Sequence, residues 1–164
     1  MKIEEFFLKY PNYETPFQYY KTGHGWETSI CFYNYFDQIF PKENISTALH
    51  LFYFDADGKQ IAYGLENFSV HESKQIKSSK FINSGEGVVA VAAVPDGNIE
   101  KLAEGKFTLR SSISTGYYVI WENLNFGTID ISHELQNFVK SETPMVPQYF
   151  NFNASSSDLK RKMI

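Results

Sequence analysis

The sequence predicts an all-β protein, an antiparallel β-sandwich of about eight strands with short helical segments towards its ends. Three observations carry this. Apolar and polar residues alternate over short runs, the period of a half-buried strand. Turn signals built on Gly, Pro, Asn and Asp separate these runs roughly every ten residues. Regular alternation of strands with helical stretches is absent, which argues against a doubly wound sheet. An immunoglobulin-like or jelly-roll sandwich is the first expectation and a small antiparallel β-barrel the second.

Each element has its own warrant. Residues 2–10 space Ile3, Phe6, Phe7 and Tyr10 for one face of a short helix, and Pro11 stops it. "NYETPFQYYKTGHGW" is rich in aromatics and turn formers and reads as irregular. "ETSICFYNYF" alternates, with Ile30, Phe32 and Phe36 on one side and Ser29, Cys31, Tyr33 and Tyr35 on the other. "IFPKENIS" is a loop and "TALHLFYF" a strand. Asp57-Gly58 in "DADGK" turns that strand into "QIAYGLENFSV", because Gly readily takes the positive φ of a tight turn. "HESKQIKSSKFI" reads as an edge strand whose lysines discourage edge pairing. "GVVAVAAV" is continuously apolar, as for a strand covered on both faces. "FTLRSSIS", "GYYVIW" and "TIDI" are strands, and "HELQNFVK" a short helix capped by Ser132. One domain is expected over residues 1–150, with 151–164 a flexible tail.

In its alternation and its one hairpin, the run over residues 27–36 and 47–82 resembles small bacterial β-sandwich modules of the sensory-rhodopsin-transducer type. The resemblance covers about a third of the chain. It implies a sandwich and carries no functional residue over.

Bulk properties narrow the function classes. The 164 residues carry a net charge of −4, with a pI of about 5.6. No basic stripe is present to neutralise phosphates, so nucleic acid is not an expected partner. Cys31 is the single cysteine, so no intrachain disulfide forms. The N-terminal stretch lacks the basic and long apolar regions of a signal peptide, and no apolar run has the length of a membrane span. The expected location is cytoplasmic. Without a secretory signal, the sequons at Asn44, Asn67 and Asn153 carry no weight.

Catalytic motifs are scarce. The four histidines, His24, His50, His71 and His133, form no HxH, HExxH or other close metal-binding spacing. No G-x-S-x-G elbow or phosphate loop occurs. "DADGK" fails as a calcium loop, since the alignment puts Tyr53 and Gly64 where ligands are needed. Cys31 has no basic neighbour in sequence to activate it. No metal or cofactor is expected. One enzymatic reading survives as the alternative: a small β-barrel in which His50, His71 and His133 converge with Glu66, Glu72 or Glu122. Against it, His50 reads as a packed core histidine, and the two His-Glu pairs read as solvated surface.

The first functional reading is a non-enzymatic binding or interaction module, and it rests on the aromatic share of 17%. In "GYYVIW", Tyr117, Val119 and Trp121 share one face, and Tyr118, Ile120 and Glu122 the other. Tyr and Trp combine apolar area with a polar tip, which suits both sugars and protein partners. Trp26 and His24, in the glycine-flanked "TGHGW", complete the candidate set with Tyr117, Tyr118 and Trp121. A protein partner or a second copy is the expected ligand, with a carbohydrate or other small molecule as the lesser choice. The competing reading is that these rings simply fill the sandwich, and that His24 only makes a tight turn.

Overall fold

A computed structural model describes residues 1–11, 13, 15–36, 43–96 and 115–133. Among them stand one α-helix, α1 (Ile3–Lys9), a short 3-10 turn (Ser78–Lys80) and eight strands: β1 (Phe17–Thr22), β2 (Trp26–Tyr33), β3 (Thr47–Asp55), β4 (Gln60–Phe68), β5 (Ser73–Lys77), β6 (Gly85–Pro95), β7 (Tyr118–Asn123) and β8 (Thr128–His133). They form two antiparallel four-stranded sheets, ordered β1-β6-β3-β4 and β5-β2-β7-β8. Two separate sheets make this a sandwich, and the barrel alternative falls. The pairings β1 with β6, β2 with β5 and β3 with β4 nest inside one another, as in a long hairpin folded over on itself. That nesting is jelly-roll winding. The β7–β8 hairpin then adds to the free side of β2.

The core follows from strand alternation. Tyr20, Leu49, Leu51, Tyr53, Phe68, Val89 and Val91 from the first sheet meet Ile30, Phe32, Ile76, Tyr117 and Val119 from the second. Edge-to-face ring pairs link Tyr20 to Tyr53 at 5.2 Å and Phe32 to Phe68 at 4.9 Å. A buried amide closes one end. Asn34 Nδ2 donates to the Ile45 and Ser69 carbonyls, and its Oδ1 accepts from Thr47 Oγ1. One buried side chain thus satisfies the loops entering β3 and leaving β4.

Helix α1 builds a second apolar layer on the outer face of the first sheet. Phe6, fully buried, sits on Phe52, Ala90 and Ala92, with Ile3, Tyr10, Tyr13 and Tyr63 around it. The small residues of "GVVAVAAV" make room for that ring, and this is why β6 is apolar on both faces. Lys2 N donates to Glu5 Oε2, while Ile3 N donates to Gln60 Oε1 and ties the helix to β4.

Three expectations change. Ser132, read as a helix cap, and His133, read as the first helical residue, both lie in β8. Phe17–Thr22, read as irregular, is β1. Its inward side chains are Gln18, Tyr20 and Thr22, so polar residues inside and aromatics outside conceal the usual pattern. Phe7 was assigned to the inner face of α1 but is 40% exposed. Other expectations hold. β5 is an edge strand, and the Asp57-Gly58 turn joins β3 to β4, with Gly58 at φ +78° and Asp55 Oδ1 accepting from Asp57 N and Lys59 N. The strand expected over "FTLRSSIS", the helix "HELQNFVK" after its first residue, and the tail 151–164 lie outside the described residues.

Candidate functional site: the β7–β8 hairpin and its neighbouring turn

The two faces of β7 do different work. Inward, Tyr117 just before the strand is 1% exposed, and its hydroxyl donates to the Pro16 carbonyl. Trp121 packs on the core, and its Nε1 donates 3.0 Å to the Tyr19 carbonyl. Both rings thus join the second sheet to the segment that forms β1. Outward, Tyr118 is 53% exposed and meets the His133 ring edge-on at 4.7 Å. The candidate aromatics of this strand therefore divide, with Tyr117 and Trp121 inside and Tyr118 on the surface.

Trp26 and His24 lie at one end of the sandwich. Gly23, His24 and Gly25 all have positive φ, which bends the chain sharply from β1 into β2. This turn stacks against the β7–β8 turn. Leu124 N donates to the Gly25 carbonyl, and Asn125 Nδ2 lies 3.4 Å from the His24 carbonyl, which accepts from it. A Cβ on Gly25 would stand 2.1 Å from Asn125 Nδ2, so only glycine permits the contact. Trp26 is half-buried under the Lys21 ammonium, 5.4 Å from its ring centre. His24 is exposed.

Beside this junction the hairpin exposes Leu124 (66%), Phe126 (80%), Ile129 (64%) and Ile131 (60%). Ile131 pairs with Ile120, and His133 with Tyr118, so one outward stripe runs Tyr118, Ile120, Ile131, Ile129. Sequence reasoning missed Leu124, Phe126, Ile129 and Ile131. A signal existed: "ENLNFG" puts Leu and Phe in a tight turn, where polar residues normally stand.

The alternative catalytic set does not come together. His50 is buried beneath α1, its Nδ1 2.9 Å from the Tyr63 hydroxyl. His71 sits in the turn between β4 and β5 at φ +59°, with its Nδ1 3.2 Å from the Tyr33 hydroxyl. His133 ends β8 and Glu122 lies on the outer face of β7. Glu66 pairs with Lys80, and Glu72 with Lys74 at 3.0 Å. Among the described residues no three His, Cys, Asp or Glu side chains group closely enough to hold a metal. Burial pushes the Cys31 thiol pKa up, and the Glu122 carboxylate adds to this, so the thiolate is disfavoured.

A surface depression of about 480 Å³ runs along β5, lined by Glu66, Lys74, Lys77 and Lys80 among others. Glu66 and Glu72 already hold two of its lysines. No helix among the described residues is long and apolar enough to cross a membrane. No family model, curated protein or solved structure matches the chain.

Proposed function

We propose that this protein is a binding module that engages a protein partner through the β7–β8 hairpin. One observation carries the reading. Five of the exposed large apolar side chains, Tyr118, Leu124, Phe126, Ile129 and Ile131, fall on a single hairpin. Scattered surface hydrophobes need no explanation, but a contiguous patch of this kind is typical of interaction surfaces. The hairpin turn is hydrogen-bonded to the glycine-bounded turn at His24, and such tethering lowers the ordering cost of binding. Tyr118 and Phe126 supply the aromatic anchors and His24 a polar rim. Trp26 supports the turn, while Tyr117 and Trp121 hold the strand in place. A second copy of the chain is one such partner.

The test is photo-cross-linking in cells from a benzoylphenylalanine placed at position 126, with position 57 on the opposite hairpin as control. A discrete adduct from 126 and none from 57 supports the reading. The same pattern from both positions would sink it.

A further inference from the structure

His50 lies in an unusual place for a titratable group. It is 4% exposed, with its ring 5.0 Å from Phe6, 5.9 Å from Tyr10 and 6.3 Å from Phe52. Across the sheet its register partners are Leu65 on β4 and Ala92 on β6. Among the described residues the titratable groups facing it are Tyr63 from β4, whose hydroxyl is bonded to Nδ1, Lys9 from α1 and Tyr10 just after it. Among the described residues the charges that act on the ring are both positive, Lys9 and the Met1 amino group. An imidazolium here loses its water and is repelled by the helix that covers it. Helix α1 is the weak partner. It spans Ile3–Lys9, and Phe6 is its single fully buried side chain.

We infer that α1 is an acid-released strap: protonation of His50 detaches the helix from the first sheet and uncovers Phe52, Ala90 and Ala92, while the sandwich beneath stays closed. This is independent of the hairpin surface, which lies on the other sheet.

The direction of the pH dependence follows. Burial, then the two cations, lower the His50 pKa from 6.5 to about 4. The docked state therefore favours neutral His50. The contribution is complete above pH 6.5 or so and is lost as pH falls towards 4. The strap's opening equilibrium should rise on the order of tenfold to a hundredfold between pH 7 and 4.5.

Hydrogen exchange on the full chain, corrected for intrinsic rates, tests this. Protection at residues 6–10 should fall between pH 7 and 4.5 while β2 and β3 stay protected, and His50→Phe should abolish the fall. Phe6→Ala should remove protection at every pH. Because His50→Phe risks misfolding, the wild-type His50 ring is also titrated by NMR. A midpoint well below 6.5, with protection already falling above it, supports the strap. Protection unchanged at pH 4.5, an equal loss in folded His50→Phe, or a His50 midpoint near 6.5 would overturn it.

Discussion

Tyr117 and Tyr118 stand side by side and face opposite ways, so their replacement should have opposite consequences. Tyr117→Ala removes a fully buried ring and its bond to Pro16, and should cost about 3–5 kcal/mol in urea unfolding. Tyr118→Ala removes an exposed ring and should cost less than about 1 kcal/mol. Similar values for the two would contradict the assignment of faces. Asn34→Ala leaves the buried Ile45 carbonyl and Thr47 hydroxyl without their amide partner and should cost on the order of 3 kcal/mol, read from the same melts. The sequence showed that Tyr117 and Trp121 share a face and Tyr118 takes the other, because alternation is local. Which face was the core depended on the first sheet packing across it, through bonds from Tyr117 and Trp121 to residues about a hundred positions away. Nothing local announces those partners.

The strands were legible to the degree that their inward positions were apolar. β2, β3 and β6 could be read directly, and β4, whose Ile61 and Leu65 are exposed, followed from its hairpin with β3. β1 was hidden by Gln18 and Thr22: Gln18 Nε2 donates to the His133 carbonyl, far along the chain, and the Thr22 hydroxyl to Glu27 Oε1. Gly64 illustrates what a strand glycine conceals. A Cβ there would lie 2.7 Å from the Phe81 ring, so Gly64 admits that ring against β4. Gly64→Ala should destabilise by about 1–3 kcal/mol, and adding Phe81→Leu should recover part of the loss, measured by thermal melting of both variants. No recovery would mean the backbone, and not the ring, needs the glycine. The β7–β8 hairpin gave its warning in the turn. Leu124 and Phe126 broke the rule that turns are polar, beside tyrosines and a tryptophan that carry the louder aromatic signal.

At the scale of the molecule, alternation showed that two faces exist on each strand but left open which strands join which sheet. Crossovers decide that, and the nested pairing of β1–β6, β2–β5 and β3–β4 emerges only in three dimensions. The same limit applied to the histidines. Four isolated residues can meet anywhere in a sandwich, and here His50, His71 and His133 lie in separate surroundings. EDTA should accordingly leave the melting temperature unchanged, and a clear fall would return the distributed metal site to consideration. In the proposed function the exposed hairpin side chains serve a partner and not the protein's own stability. The most direct measurement is urea unfolding of Phe126→Ser combined with Ile131→Ser, set beside the cross-linking yield of the same protein from position 124. The expected result is a stability change within about 1 kcal/mol and a lost adduct. A loss of several kcal/mol would contradict it, by showing that these side chains belong to the protein's own core.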